Sequence, residues 1–199
     1  MATARSIDLN RTLIVIAIAA LLTASVGCGP GEPEVFEPVV HPIPDVPLGL
    51  DESKMVVPAD NPMTPEKVAL GWQLFYDPRL SADETISCNS CHMAEYGFGD
   101  PDAVSLGVNN ARGRRNSTPV VNAAFNASQF WDGRAATLEE QALGPLVDPV
   151  EMANTLRGVE LRLNRIPGYR SQFAAVFGNE EVTAENVGKA LAAFQRVVL

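Results

Sequence analysis

The sequence predicts an all-α fold, and three observations carry that expectation. Apolar residues recur at helical spacing, several of these runs follow a threonine suited to N-capping, and no stretch sustains a period-two alternation. The first helix is expected to start at Thr64, with Pro65 at its first position and Glu66 favouring its positive end. Val68, Trp72, Phe75 and Tyr76 then form one apolar stripe. Gly71 inside this helix costs about 1 kcal/mol relative to Ala, which is reasonable where a second helix crosses closely. A last helix is expected after Thr183, with Val187, Leu191, Phe194 and Val198 on its apolar face and Gly188 one turn in. Between the two lie a capping box from Thr137 to Glu140 and two amphipathic runs: Leu156, Val159 and Leu163, then Tyr169, Phe173 and Phe177. There is no internal repeat.

The chain has 199 residues, which allows one globular domain with appendages. Lys and Arg number 15 against 24 Asp and Glu, for a net charge of −9. That balance argues against nucleic acid, whose phosphates require basic residues to displace counterions. Three cysteines are too few for a disulfide scaffold.

Residues 1–27 read as an export signal: Arg5 and Arg11, an apolar run from Leu13 to Leu22, then Thr23 to Gly27. The run is shorter than the roughly 20 residues needed to span a bilayer. Cys28 follows Gly27 as in a bacterial lipobox, although Ser25 stands where leucine is usual. Lipidation at Cys28 is therefore expected, with simple cleavage and release as the alternative. Both place the protein outside the cytoplasm, in the periplasm or cell envelope. Residues 28–62 are rich in proline and acid with no periodic apolar face, and are read as an extended tether in which His41 is a spectator. Residues 63–199 are read as the folded domain.

Cys88-Asn89-Ser90-Cys91-His92 is a C-x-x-C-H motif, the attachment signature of c-type haem. Thiols three positions apart reach the two vinyl groups of one porphyrin, and the next residue sets an imidazole beneath the iron. A zinc site would need a second pair of ligands, and a thioredoxin-like centre a βαβ setting; the sequence offers neither. The cysteines are then all assigned: Cys28 to lipid, Cys88 and Cys91 to haem. Beyond the tether, His92 is the only histidine. A second axial histidine is thereby excluded unless His41 folds back, leaving methionine, water or an open position. Of Met55, Met63, Met93 and Met152, only Met152 is a plausible ligand, and it also reads as an ordinary core residue. Arg114, Arg115 and Arg134 are surface charges or partners for haem propionates.

Four strings, LGWQLFYDPRLS (70–81), ISCNSCH (86–92), GRRNSTPVVNAAFNASQFWDGRA (113–135) and EEQALGPLVDPVEM (139–152), resemble the peroxidatic N-terminal domain of bacterial di-haem cytochrome c peroxidases and the related methylamine-utilisation di-haem enzymes. The resemblance implies a cytochrome c-like helical domain around one covalent haem c, with its terminal helices crossing. It further implies a catalytic role for Glu151 as the carboxylate that moves the protons of peroxide. Trp131 is implied as an electron route between two haems, and Asn116 as a calcium ligand. Hydrogen peroxide is the implied oxidant, and a small cytochrome c or partner haem domain the electron donor.

Two departures accompany it. Val108 stands where many members carry a distal histidine, which suggests an iron that needs no reductive release of that ligand. Members also continue into a second haem domain, whereas this sequence reads to Leu199; a domain lacking that neighbour is expected, with Asn116 and Trp131 deprived of their counterparts. The leading expectation is a peroxidase. The alternatives are a mono-haem electron-transfer cytochrome with Met152 as sixth ligand, and a haem-binding fragment of a di-haem enzyme.

Overall fold

The computed structural model describes residues 40–199. The export signal, Cys28 and the first part of the tether lie outside the described residues. Five α-helices follow in order: α1 (Pro65–Phe75), α2 (Leu138–Val147), α3 (Leu156–Leu163), α4 (Pro167–Phe177) and α5 (Ala184–Gln195). The long segment between α1 and α2 is built of loops and short 3-10 turns, with three isolated β-bridges and no named strand among the described residues.

The caps expected at Thr64, Thr137 and Thr183 are found, Thr155 adds a fourth, and α4 starts at Pro167 without a side-chain cap. Thr64, Thr137, Thr155 and Thr183 each accept a hydrogen bond from the backbone N–H three residues on. Glu140 closes the α2 cap from the far side, accepting from the Ala136 N–H at 2.8 Å rather than from Thr137 itself.

Helix α1 crosses α5 at the centre of the molecule. A side chain at Gly71 would place its Cβ 2.0 Å from the Ala190 carbonyl oxygen, so only glycine permits this approach. Gly188 does the same more loosely where α5 meets α2, its notional Cβ lying 3.1 Å from the Glu139 carbonyl. Around the crossing, Leu70, Leu74 and Phe75 of α1 pack with Val187, Leu191 and Phe194 of α5 in one core. Val159, Leu163, Tyr169 and Phe173 complete it from α3 and α4.

The expected face of α1 is partly corrected. Leu70, Gly71, Leu74 and Phe75 face the core, and the Lys67 side chain is buried with them. Trp72 is 54% exposed and Tyr76 half-buried, so the stripe through Val68 and Trp72 lies to one side of the true contact face. Hydrophobicity alone drew Trp72 into the stripe, while the close crossing at Gly71 sets which face turns inward.

The packed body also takes in the last residues of the proline-rich segment. Asn61 is fully buried, donating to the Glu139 carboxylate and accepting from Lys67 Nζ. Arg196, also buried, donates to the Val56 carbonyl at 2.9 Å and pairs with Glu139 at 2.8 Å. His41 is exposed.

The segment leading to the haem motif is pinned by two partly buried sets of contacts. Tyr169 donates to Asp77 at 2.5 Å, and Arg79 binds the same carboxylate at 2.6 Å. Arg162 of α3 donates to the Arg79 and Ser81 carbonyls at 2.6 and 2.5 Å. These contacts carry the irregular loop out of α1 to a defined position before Cys88.

Candidate haem pocket

A cavity of about 950 Å³ opens beside the α1–α5 crossing. It lies at the upper end of the roughly 300–1,000 Å³ typical of ligand pockets. Its wall joins Cys88, Cys91 and His92 to Trp131, Glu151 and Met152, residues up to 64 positions apart in sequence (152 − 88). Phe75 and Leu191 bring the two crossing helices to the same wall.

The C-x-x-C-H motif forms a single 3-10 turn, Cys88–Ser90, with Ser87 and Ser90 capping each other. Both thiols are free. Removal from water pushes the Cys88 thiol up to about 12 and raises that of Cys91, so both stay protonated. Such buried thiols are inert rather than a reactive redox pair.

His92 faces the Phe98 carbonyl oxygen through Nδ1 at 3.1 Å. A carbonyl only accepts, so Nδ1 carries the hydrogen and Nε2 keeps its lone pair for a metal. Burial lowers the pKa of the imidazole and holds it neutral. Phe98 sits in the left-handed region with φ +55°, uncommon for a bulky residue, and this turn aims its carbonyl at the ring. The same carbonyl accepts from the Val120 N–H, and the Phe98 ring packs on Phe75 and Phe194.

Glu151 stands on a tight turn after α2. Its N–H donates to the Asp148 carbonyl at 3.1 Å, its own carbonyl accepts from the Val108 N–H at 2.8 Å, and Ala153 takes φ +51° to close the turn. Gly107 lies so close that a Cβ there would sit 2.4 Å from the Glu151 carbonyl oxygen. The loop that holds Val108 is thus clamped against the Glu151 turn, and Val108 is buried. Burial raises the Glu151 pKa, the Asp148 charge adds to the rise, and Arg134 opposes it.

Trp131 is 62% exposed and donates from Nε1 to the Asn116 carbonyl oxygen at 2.8 Å. The Asn116 side chain donates to the carbonyls of Asp100 and Asp102 at 3.0 and 2.6 Å. No group of three or more His, Cys, Asp or Glu among the described residues is arranged to hold a metal ion. Calcium takes six to eight oxygen ligands; the residues around Asn116 do not make up that set. Arg114, Arg115 and Arg134 all border the cavity. Arg115 and Arg134 share Asp132, which their hydrogen bonds hold at about 2, and Arg134 lies 3.5 Å over the Phe130 ring. Met152 is only 2% exposed and belongs to the core as well as to the cavity wall.

Three residues in or behind the wall escape a reading by pattern: Gly107 and Gln141, which line it, and Phe98, which holds His92. Gln141 borders the cavity and carries a buried side-chain oxygen with no partner. The sequence does not set it apart, because Glu139 and Glu140 precede it in the polar first turn of α2. Phe98 and Gly107 act through backbone geometry, which composition does not display. Two thiols, a neutral imidazole with an available nitrogen and a cavity of this size fit a covalently attached haem.

The fold and cavity define a helical c-type haem domain. The family model for di-haem cytochrome c peroxidase matches residues 65–199, and the chain belongs to that family. It is 40% identical over 152 residues to cytochrome c551 peroxidase of Nitrosomonas europaea, covering 76% of this chain and 46% of that protein. With methylamine utilization protein MauG of Methylorubrum extorquens it shares 43% over 143 residues, 71% of this chain and 40% of that one. A crystal structure of a MauG-like protein associated with microbial copper homeostasis superposes with a TM-score of 0.67 at 36% identity, covering 77% of this chain and 47% of that one. The chain thus spans less than half the length of these relatives.

Proposed function

We infer that this domain is the peroxide-reducing haem domain of a cytochrome c peroxidase, in which Cys88 and Cys91 would hold one haem c covalently and His92 would ligate its iron. The observation that carries the reading is the single cavity shared by the C-x-x-C-H turn and Glu151. When bound, the haem supplies a redox-active iron able to pass electrons to peroxide. The balance is one hydrogen peroxide, two protons and two electrons to two waters.

The chain's own residues supply the rest. Glu151 takes a proton from the near oxygen of peroxide and returns it to the departing one, work typically worth about 10² to 10⁴ in rate. Its raised pKa suits that double duty, since a carboxyl closer to neutrality gives up and regains a proton more evenly. The Gly107–Val108 clamp keeps the carboxyl in register, and Arg134 offers it a countercharge. His92, its ring fixed by the Phe98 carbonyl, would present Nε2 to the iron. Trp131, tied to Asn116, provides an electron route at an exposed edge. Asn116 is proposed to join a calcium site only with oxygens from beyond the described residues.

The excess of acid over base favours a basic cytochrome as donor. Residues 1–27 are read as an export signal and residues 28–62 as a tether from Cys28 whose last residues dock onto the packed body, placing the domain in the periplasm or cell envelope. Among the described residues no helix is long and apolar enough to cross a membrane. Met152 packing in the core favours this reading over a methionine-ligated carrier.

The test is peroxide turnover by the holoprotein with reduced cytochrome c as donor. Glu151→Gln is expected to abolish most turnover while leaving the covalent haem spectrum intact. Equal turnover in the variant and the parent contradicts the assignment.

A further inference from the structure

The Glu151 turn is shaped from within but placed from outside. The Glu151 and Ala153 N–H groups donate to the Asp148 carbonyl, that of Met152 to Pro145 and that of Asn154 to Leu146. These bonds fold the turn onto the end of α2 without fixing where it stands relative to Cys88 and His92. Two others, besides the Val108 clamp, do that. The Ala82 N–H donates to the Met152 carbonyl at 2.8 Å, and the Asn154 side-chain amide donates to the Leu80 carbonyl at 2.9 Å. Segment 80–86 then runs on to the haem motif. The hydroxyl of Ser81, a fully buried residue, accepts from the Thr85 and Ile86 N–H groups at 3.1 Å each. Ile86 borders the cavity two residues before Cys88. One short piece of chain thus touches the Glu151 turn at one end and the C-x-x-C-H turn at the other.

Helix α3 grips that piece. Arg162 donates from Nη1 to the Arg79 and Ser81 carbonyls and from Nη2 to the Ala82 carbonyl at 3.2 Å, while its Nε lies 3.3 Å from the Glu84 carboxylate. A planar guanidinium with five donors holds several carbonyls at fixed angles, which a compact ammonium does not. Four residues earlier, on the same side of the helix, Gly158 leaves room for Asn154: a Cβ there would lie 2.3 Å from Asn154 Oδ1. Helix α3 does not need these contacts to pack, because Val159 and Leu163 already bury it in the core. We propose that Arg162 and Asn154 are positioning residues, which set Glu151 at its working distance from the haem-attachment turn through segment 80–86.

The proposal rests on Glu151 moving the protons of peroxide beside haem held by Cys88, Cys91 and His92. Neither Arg162 nor Asn154 borders the cavity, and both act through backbone carbonyls. Cutting either link leaves the turn folded by its own bonds but held from outside mainly on the Val108 side. Proton transfer is sensitive to that change, since a misplacement of about 1 Å costs about 10² in rate. Helix α3 keeps its apolar face, so what is lost is register rather than fold.

The experiment compares holoprotein variants by two readouts: peroxide turnover, and the infrared C–O stretch of carbon monoxide added to the ferrous protein. Asn154→Ala and Arg162→Met are each expected to slow turnover at least tenfold and to move the C–O band in the direction that Glu151→Gln moves it. Arg157→Met, which removes an exposed α3 arginine paired only with Glu160, is expected to change turnover less than twofold and leave the band in place. Added to Glu151→Gln, Asn154→Ala is expected to slow turnover less than twofold further, because residues acting as one unit are not additive. A band that stays at its parent position in both positioning variants overturns the proposal, as does an undiminished Asn154→Ala effect in the Glu151→Gln background. Where Arg162→Met yields no holoprotein, Asn154→Ala alone decides. If Glu151→Gln itself neither slows turnover nor moves the band, the functional reading fails first; if it does both and the positioning variants do neither, only the positioning fails.

Discussion

The α1–α5 crossing and the loop wall of the cavity meet at Phe75, yet they are built by different physics. At the crossing, regular helices bury side chains in 3.6-residue register, and one glycine sets the distance of approach. In the wall, residues 81–136 and 148–153 hold their places through carbonyls, turns and left-handed residues. Phe98, Asn109, Asn110, Asn122 and Phe130 all take positive φ in the first stretch and Ala153 in the second. The crossing supplies stability; the wall spends some of it on backbone strain, about 1–3 kcal/mol per residue for the bulkier ones. Strain gathered next to Cys88, His92 and Glu151 is the mark of a site rather than of a core.

That contrast can be broken by substitution. The largest effect is expected from Glu151→Gln: a loss of about 10² to 10⁴ in kcat for peroxide, with an unfolding midpoint close to that of the parent. Steady-state kinetics beside denaturant unfolding checks both halves. Next, Gly71→Val at the crossing is expected to destabilise by about 3 kcal/mol or more, because the side chain meets backbone that cannot yield. Urea unfolding of the holoprotein measures it. A fall under 1 kcal/mol would mean the crossing is looser than the 2.0 Å approach implies.

A smaller, sharper test separates backbone from ring at Phe98. Phe98→Asn keeps access to the left-handed region and loses the ring; Phe98→Val keeps apolar bulk and resists that region. If the carbonyl orients His92, the Val variant moves the haem midpoint potential upward and the Asn variant moves it less. The opposite ranking would assign the effect to packing.

The pH dependence follows from Glu151. Its raised pKa means the basic form is reached only as pH climbs above the ordinary carboxylate range. The acid limb of kcat/KM is therefore expected to rise with pH through a midpoint above that of a free glutamate, and to vanish in Glu151→Gln. The same shift favours the protonated fold, so its stabilising contribution is full below the unfolded pKa and is lost as pH rises through the folded one. The smallest effect is on stability in Trp72→Phe, about 0.5 kcal/mol or less for an exposed position. A larger loss would reclassify Trp72 as part of the core.

The two regions also differ in how far they could be read from sequence. Caps at Thr64, Thr137 and Thr183, the apolar face of α5 and the close approach at Gly71 all follow from local periodicity, and each is found. The α1 face was misplaced at Trp72 because hydrophobicity does not distinguish an exposed indole from a buried one. Cys88, Cys91 and His92 announce themselves because their chemistry demands fixed spacing. Glu151, Trp131 and Asn116 entered through family resemblance alone, since one carboxylate or indole in a loop has no period to betray it. Phe98, Gly107 and Gln141 were silent because a carbonyl direction, a missing Cβ and an unpaired amide exist only after folding.

The central claim is that His92 is the one strong protein ligand to the haem, leaving the other face free for peroxide beside Glu151. Electron paramagnetic resonance of the ferric holoprotein tests it most directly. The account predicts a dominant high-spin signal at neutral pH; a purely low-spin spectrum from two strong axial ligands would contradict it.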